Sequence, residues 1–238
     1  CIEDLRQVAE CRVPRVFYDY ADSGSWTEGT YRANESDFHA IQFRQRVAVN
    51  MEGRSTATTM VGQQTSMPVC IAPVGLTGMQ HADGEIHAAR AAEKFGIPFT
   101  LSTMSICSIE DIAEHPSAPF WIQLYMMRDR NEQFDPRLSW EDVRWVKEQW
   151  GGKLILKGIM EVEDAVLAAN NGADAIVVSN HGGRQLDGAP SSIAALPAIV
   201  EAVGDKLEVW MDGGIRSGQD VLRAWALGAK GTMIGRAM

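Results

Sequence analysis

Residues 179–187, SNHGGRQLD, bring an imidazole, a guanidinium and two adjacent glycines into one short segment. His181 can take or give a proton near neutral pH, and Arg184 can hold a carboxylate through two parallel hydrogen bonds. Gly182 and Gly183 allow a flat ligand to come close to the backbone. Taken alone, the segment is equally consistent with a solvated polar loop, so its interpretation depends on its position in the fold.

The segment follows residues 175–178, AIVV, a β-branched run typical of a buried parallel strand. From Met67 onward such strands alternate with helical patterns, which predicts βαβ units and a parallel α/β sheet. The predicted strands are residues 69–72, 99–103, 120–125, 154–157, 175–179, 207–212 and 231–234. The predicted helices are residues 84–95, 140–150, 162–170, 193–203 and 219–227, and one more that begins at Ser108.

Seven predicted strands are one short of a closed (β/α)8 TIM barrel. The fourth βα unit is missing between Tyr125 and Trp140, with the junction near Gln133-Phe134, and the helix that would close the barrel after residue 234 is also missing. We interpret both gaps as segments that are disordered or not included in this sequence. A true deletion is the alternative. Residues 1–238 are expected to form a single domain, with a helical N-terminal segment at 1–67 and the barrel at 68–238.

The N-terminal segment shows helical patterns at residues 2–10 and 26–38 and a short β segment around residues 56–61. Ser25 or Thr27 is the predicted N-cap of the second helix, because a short hydroxyl side chain satisfies free N–H groups of the first turn. These helices precede the barrel and are not expected to form a domain of their own.

Polar residues and glycines follow almost every predicted strand, whereas the strand bodies are apolar. In parallel α/β proteins the residues after the strands line the ligand crevice. The candidates are Pro73, Val74, Gly75, Ser102, Met104, Gln123, Tyr125, Lys157, Ser179, His181, Arg184, Asp212, Gly213, Gly214, Arg216, Gly235 and Arg236. Such a rim suits a large, flat, polar ligand that carries a phosphate.

The loops after the last two strands are the candidate phosphate site, because in α/β barrels these loops commonly bind phosphate through backbone N–H groups. Glycines 213, 214 and 235 permit close approach, and Arg216 and Arg236 supply positive charge. GGIRSG differs from the dinucleotide-binding fingerprint, because Ile215 occupies the position of its second glycine. Ordinary tight turns remain the alternative for either glycine pair alone.

Composition excludes some classes of function. The net charge of −9 argues against nucleic acid as a partner, since phosphate backbones require a basic surface. The four cysteines show no CxxC spacing, which favours a reducing compartment. His39, His81, His87 and His115 lack metal-ligand spacing, so no metal is assigned. No apolar run reaches the length of a membrane span.

Several motifs together resemble the FMN-dependent L-2-hydroxy-acid oxidases and dehydrogenases, a family that includes glycolate oxidase, L-lactate dehydrogenase and mandelate dehydrogenase. The matching pieces are YDYADSG (18–24), IAPVGLTGMQHADGE (71–85), LST (101–103), QLY (123–125), LKG (156–158), SNHGGRQLD (179–187), DGGIRSG (212–218) and IGR (234–236). They run in the family's order over almost the whole chain. SNHGGRQLD and DGGIRSG are specific, and the shorter pieces are supporting.

The resemblance implies a role for each matched residue. It makes His181 the catalytic base and Arg184 the group that binds the substrate carboxylate, with Tyr20 and Tyr125 as hydrogen-bond donors to the substrate. It implies that FMN is held at its ring and ribityl chain by Lys157, Ser102, Gln123, Ser179 and the Pro73–Gly75 backbone. The ribityl-phosphate end is then surrounded by Asp212, Gly213, Gly214, Arg216, Gly235 and Arg236.

Two elements of the family pattern are missing. The family has a Thr-x-Asp on its fourth strand, whose Asp orients the base, and a second carboxylate-binding arginine shortly afterwards. Both fall where this sequence lacks a βα unit. Of the two explanations, disorder is preferred to deletion, because the family's variable loop lies in the same stretch.

The substrate is expected to be L-lactate. Met104 stands where glycolate oxidase has a tryptophan, and a methionine makes a more adaptable wall. Gly75 stands where oxidases of the group usually have alanine, which favours a dehydrogenase. The runs STMSICSIEDIA and FDPRLSWEDVRW are most similar to bacterial L-lactate dehydrogenases.

The predicted activity is the oxidation of an L-2-hydroxy acid to the 2-oxo acid, with quinone, cytochrome or O₂ as the electron acceptor. One alternative is a glycolate or long-chain 2-hydroxy-acid oxidase that uses O₂, and another is a flavin-binding remnant without catalysis. The resemblance further implies a homo-oligomer, a tetramer in most of the family. The expected location is the cytoplasm or the periphery of the inner membrane.

Overall fold

The computed structural model describes residues 1–126 and 137–237. Seven parallel strands are present in this part of the chain: β3 (Val69–Ile71), β4 (Thr100–Ser102), β5 (Trp121–Gln123), β6 (Ile155–Ile159), β7 (Ala175–Val178), β8 (Glu208–Asp212) and β9 (Gly231–Ile234). They alternate with helices, as the sequence predicts. The predicted junction near Gln133-Phe134 lies outside the described residues.

The parallel strands form two sheets joined at one point. β3, β9, β8, β7 and β6 form a five-stranded sheet in that order, and β4 pairs with β5. A single bridge between Ile71 and Phe99 connects the two. Within the described ranges β5 and β6 each pair on one side only, so the barrel wall is incomplete at the place where the sequence lacks a βα unit.

β6 runs further than the sequence predicts. The expected strand ends at Lys157, but pairing with β7 continues to Ile159 after a register shift between these two residues. Gly158 lies between them with φ of 103°, a backbone angle that a glycine adopts readily. The shift is therefore a β-bulge immediately after Lys157.

The outer face of the five-stranded sheet is covered by α8 (Val162–Asn170), α9 (Ser192–Val203) and α10 (Gly218–Ala226). The apolar face of α9 buries Leu196, Ile199 and Val203 in one cluster with Ile176, Val178 and Val209 of the strands. On the side of β4, α5 (Gly84–Phe95) and α6 (Ile109–Ala113) build a separate cluster around Phe99 and Ile112. α4 (Thr77–Gln80) and α7 (Trp140–Trp150) complete the helices of the barrel region in the described residues.

Large side chains fill the inside of the barrel. Trp210 of β8 is completely buried and stacks on Trp121 of β5, with ring centroids 5.3 Å apart. The antiparallel hairpin of β1 (Thr58–Met60) and β2 (Gln63–Thr65) contributes Met60, which is buried in the same cluster as Cys70 and Val177. The interior is therefore a packed core, as in closed barrels.

The N-terminal segment consists of α1 (Ile2–Arg12), α2 (Arg15–Asp22), α3 (Gly29–Ser36) and a 3-10 turn at Asp37–Ala40. The predicted N-caps of this helix, Ser25 and Thr27, are wrong. Glu28 is the residue that precedes α3, and its side chain makes no capping hydrogen bond. The Thr27 hydroxyl instead donates to the Asp187 carboxylate at 2.6 Å. Asp187 also accepts from the Thr30 backbone N–H at 2.9 Å, so a residue distant in sequence satisfies the first turn of α3.

No helix in residues 1–126 and 137–237 has the length and apolarity to cross a membrane. All four cysteines carry free thiols.

Candidate active site

Most of the predicted site residues line one pocket above the carboxyl ends of the parallel strands. The pocket is lined by Tyr20, Pro73, Val74, Gly75, Ser102, Met104, Tyr125, Lys157, His181, Arg184, Asp212, Gly213, Gly214, Arg216, Gly235 and Arg236. Two predicted residues, Gln123 and Ser179, do not line the pocket, but each forms a hydrogen bond with a residue that does. The Gln123 side-chain carbonyl accepts from the Ser102 hydroxyl at 3.1 Å, and Ser179 contacts Lys157.

Lys157 is held by two partners at the floor of the pocket. Its Nζ lies 2.7 Å from an oxygen of Asp212 on β8 and donates to the Ser179 hydroxyl oxygen at 3.0 Å. Both members of the ion pair are largely buried, with side chains 21% and 11% exposed. Lys157 is therefore fixed by these two partners, and its cation faces the ligand space.

His181 stands at the mouth of the pocket in a left-handed backbone conformation, with φ of 56°. Its backbone N–H donates to the Ser179 hydroxyl oxygen at 3.1 Å, and Asn180 caps the following turn by accepting from the Gly183 N–H. Although the residue as a whole is exposed, the surrounding protein desolvates the ring and lowers its pKa. The Lys157 cation lowers the pKa further, and the Asp212 carboxylate opposes both. The neutral form of the imidazole is thus favoured at pH 7.

Within the described part of the chain, no carboxylate hydrogen-bonds to the His181 imidazole. The carboxylate whose charge acts on the ring is Asp212, and this residue is already paired with Lys157. The missing orienting Asp of the family pattern is therefore not replaced by a direct contact in these ranges.

Arg184 connects the pocket to the N-terminal segment. Its Nη1 donates to the backbone carbonyls of Tyr20, Ala21 and Ser23 at 2.6, 3.3 and 3.1 Å, and its guanidinium lies over the Tyr20 ring. Tyr20, which is 54% exposed, is in this way brought to the rim from α2. The guanidinium has five N–H donors, and these backbone contacts use a single nitrogen.

Gly75 and Met104 form the wall on the β3–β4 side. A Cβ atom added to Gly75 would lie 2.7 Å from the Met104 Cβ, so the two chain segments touch at this position. The Met104 backbone N–H donates to the Ser102 hydroxyl oxygen at 3.1 Å, which ties the loop to the end of β4. Met104 itself is 39% exposed toward the pocket mouth.

Gly183 and Gly214 allow α3 to pack directly onto the loops after β7 and β8. A Cβ at Gly183 would lie 2.6 Å from the Tyr31 backbone nitrogen, and one at Gly214 would lie 1.8 Å from the Asn34 carbonyl oxygen. Both glycines also have positive φ, of 71° and 77°. No larger residue fits here without movement of α3.

The two predicted phosphate-binding arginines are both held by α3. Arg216 Nη2 lies 2.6 Å from a carboxylate oxygen of Glu35, and the Arg236 guanidinium lies over the Tyr31 ring at 4.8 Å. Arg236 Nη2 also donates to the Gly182 carbonyl at 2.6 Å. Burial lowers the Arg236 pKa, and the cations of Arg184 and Arg216 lower it further, which indicates a concentration of positive charge.

Four pocket residues with polar side chains were not predicted from the sequence: Tyr31, Asn34, Glu35 and Gln80. The helical pattern at residues 26–38 was recognised, but the strand-end rule gives no reason to assign it chemistry. The spacing of Tyr31 and Glu35, four residues apart, is the signal that could have placed both on one helix face.

A family model described as FMN-dependent dehydrogenase matches residues 9–132 and 130–238. The protein therefore belongs to the FMN-dependent dehydrogenase family, and FMN is its cofactor. The solved relative described below is an FMN-dependent (β/α)8 barrel enzyme, so the predicted fold class is confirmed, with the barrel incomplete in the described residues.

An L-lactate dehydrogenase from Caulobacter sp. (strain K31) is 39% identical, with 98% of this chain and 85% of that protein covered. One from Pseudomonas syringae pv. syringae (strain B728a) is 37% identical, with 99% and 86% covered. Among solved structures, a soluble mutant of the membrane-associated (S)-mandelate dehydrogenase from Pseudomonas putida superposes with a TM-score of 0.95 at 32% identity. That superposition covers 99% of this chain and 85% of the other.

The Caulobacter L-lactate dehydrogenase is longer than this chain, and the family match divides near the missing βα unit. The alignment with the Caulobacter protein runs over 324 positions, more than the 238 residues of this chain, so the relative carries residues without a counterpart here. The two parts of the family match meet at residues 130–132, next to the predicted junction near Gln133-Phe134.

The described residues fit FMN. Asp212 Oδ1 is a buried acceptor that has no hydrogen-bond partner in the described ranges, as a site for ribityl hydroxyls requires. Lys157 presents a fixed cation to the ligand space, Arg216 and Arg236 supply positive charge for a phosphate, and Gly235 keeps the backbone accessible.

Proposed function

We propose that the protein oxidises an L-2-hydroxy acid, with L-lactate as the first substrate, to the corresponding 2-oxo acid. The observation that carries the proposal is the convergence of His181, Arg184 and Lys157 on one pocket at the ends of adjacent parallel strands. A base, a carboxylate-binding cation and a cation for the flavin ring are the three groups that this reaction needs. FMN, when bound, supplies a two-electron acceptor.

Arg184 binds the substrate carboxylate. Its backbone contacts use Nη1, so Nη2 and Nε remain to form the two-pronged hydrogen bonds typical of arginine and carboxylate. The hydroxyls of Tyr20 and Tyr125, which line the same pocket, donate to the bound acid. These contacts fix the orientation of the carbon that is oxidised relative to His181.

His181 accepts a proton from the substrate. Its lowered pKa keeps the imidazole neutral, and therefore basic, at pH 7. When the imidazole becomes an imidazolium, the negative charge of Asp212 favours that form, while the Lys157 cation disfavours it. Lys157 would place its positive charge beside the flavin ring when FMN is bound, a role supported by its fixed position beside Asp212 and Ser179.

Substrate choice rests on the wall formed by Gly75 and Met104. A methionine side chain adapts its shape to a small acid more readily than an aromatic ring does. The curated relatives described above are named L-lactate dehydrogenases, which supports L-lactate. L-mandelate is the second candidate, because the solved relative described above is a mandelate dehydrogenase.

We propose a quinone, a cytochrome or O₂ as the electron acceptor. We also propose that the protein assembles as a homotetramer. A location at the periphery of the membrane is supported by the membrane-associated relative from Pseudomonas putida.

Steady-state assays with an artificial electron-accepting dye test the function. We expect L-lactate to be converted to pyruvate in the FMN-loaded protein, D-lactate to be inert, and L-mandelate and glycolate to react more slowly. Equal rates with both enantiomers of lactate would contradict the single substrate orientation that Arg184, His181 and the two tyrosines are proposed to set. No turnover with any of the acids would support the flavin-binding remnant instead.

A further inference from the structure

One face of α3 is directed at both arginines of the phosphate end. Tyr31 and Glu35 lie four residues apart and therefore share a helix face. Glu35 forms an ion pair with Arg216, and the Tyr31 ring lies beneath Arg236. Tyr31 places no formal charge at this end of the pocket, whereas Glu35 places a carboxylate where the cofactor requires positive charge.

Glu35 is held firmly in this position by its neighbour Asn34. The Asn34 side chain is 2% exposed and exchanges two hydrogen bonds with Asn180, of 2.9 and 2.8 Å. Its side-chain oxygen also accepts from the Ser192 backbone N–H at 3.2 Å. Its backbone carbonyl packs against Gly214 so closely that a Cβ would lie at 1.8 Å. The backbone at Glu35 is therefore not free to withdraw from Arg216.

The other donors of Arg216 are partly committed. Its Nη1 donates to the Ile215 carbonyl at 3.1 Å, and its backbone N–H donates to the Asp220 carboxylate at 3.1 Å. Asp220 in turn contacts the Ser217 hydroxyl and forms an ion pair with Arg223. Because the loop is fixed in this way, an anion that binds the Arg216 guanidinium does so close to the Glu35 carboxylate at Nη2.

A flavin phosphate carries a charge of roughly −1.5 to −2 at pH 7. To bind Arg216 it must displace the Glu35 oxygen from Nη2 or remain beside a second negative charge. Either outcome weakens binding, since like charges at close range repel strongly in a partly buried site.

We infer that Glu35 competes with the FMN phosphate for Arg216 and so reduces the preference of this site for the phosphorylated flavin. The inference rests on the proposed function, because it assumes that FMN binds in the pocket with its phosphate at Arg216. Glu35 acts through Arg216 and is a positioning residue that sets cofactor affinity.

The test is titration of the apoprotein with FMN and with riboflavin, followed by flavin fluorescence. Glu35→Gln preserves the shape of the side chain and removes its charge. We expect FMN to bind about tenfold more tightly to this variant, and riboflavin, which has no phosphate, to change by less than about twofold. Glu201→Gln on the exposed side of α9 removes the same charge away from the pocket and should change neither affinity.

A double-mutant cycle separates competition from a general effect of charge. In an Arg216→Gln background the Glu35→Gln change should tighten FMN binding clearly less than it does in the wild type, because the competition for the shared cation is gone and only direct repulsion between carboxylate and phosphate remains. Equal tightening with and without Arg216 would overturn the inference, as would unchanged or weaker FMN binding by the single variant. Wild-type protein that binds neither flavin would overturn the cofactor assignment itself, and its circular dichroism would show whether the fold is intact.

Discussion

The two sides of the barrel differ in how they are supported. β7, β8 and β9 have parallel neighbours on both sides and are covered by helices, and the loops that follow β7 and β8 pack against α3. β4 and β5 pair with each other and join the larger sheet through the bridge of Ile71 and Phe99. The phosphate end and His181 belong to the first side, whereas Met104 and Tyr125 belong to the second.

The difference separates two tasks of the site. The proposed roles assign cofactor binding mainly to the side whose strands form a continuous sheet in the described residues. They assign the orientation of the substrate partly to the other side, which carries Met104 and Tyr125. We therefore expect cofactor binding to tolerate changes better than turnover does.

Replacement of His181 should have the largest effect. His181→Asn suits the left-handed backbone at this position and removes the base. We expect kcat to fall by roughly 10²- to 10⁴-fold, the usual contribution of a positioned acid or base, with FMN binding retained. Stopped-flow reduction of the flavin by L-lactate measures the effect, and a variant that is reduced at the wild-type rate would exclude His181 as the base.

Arg184→Lys should have the next largest effect. Lysine keeps the charge but loses the two-pronged geometry, so KM for L-lactate should rise by about 10- to 100-fold. Steady-state kinetics measure this change, and a thermal melt of the same sample controls for loss of the contacts to the Tyr20, Ala21 and Ser23 carbonyls. An unchanged KM would place the substrate carboxylate elsewhere.

Hydrogen exchange tests the difference in stability between the two sides of the barrel and does not depend on activity. Amides of β7 and β8 should exchange about tenfold or more slowly than those of β4 and β5, because strands paired on both sides open less often. Exchange mass spectrometry of the apoprotein measures both pairs of strands at once. Equal protection would show that the incomplete side is as stable as the continuous one.

Asp187→Asn should have the smallest effect. Hydrogen bonds from Thr27 and Thr30 lower the Asp187 pKa to about 2, below its ordinary value of 3.8. A carboxyl whose pKa is lower in the folded state stabilises the fold above its unfolded pKa and loses that effect as pH falls. The melting temperature of the variant should thus lie below that of wild type at pH 7, and the gap should close between about pH 4 and about pH 2. A gap as large at pH 2 as at pH 7 would mean that Asp187 acts through something other than its charge.

The sequence predicted the elements whose signal is local. Residues 175–178 are apolar and β-branched and are followed by polar residues, so both the strand and its functional loop could be recognised. The same holds for the helix that begins at Gly84 and for the one predicted to begin at Ser108, whose side chain accepts from the Asp111 backbone N–H in the structure.

Contacts between distant residues were not predictable in the same way. Asp187 satisfies the first turn of α3 across more than 150 positions, and no local pattern indicates this. The position of Glu35 beside Arg216 depends on how α3 docks on Gly214, which hydrophobic periodicity does not define. The bulge at Gly158 was missed because an isolated glycine in a strand reads equally well as its end.

The most direct test of the central claim is anaerobic mixing of the FMN-loaded protein with L-lactate, glycolate and L-mandelate while the visible absorbance of the flavin is recorded. We predict that L-lactate bleaches the flavin fastest, which would establish both the reaction and the order of substrates. A flavin that stays yellow with all three acids but bleaches with dithionite would contradict the account, because it would show a barrel that binds the cofactor and does not oxidise hydroxy acids.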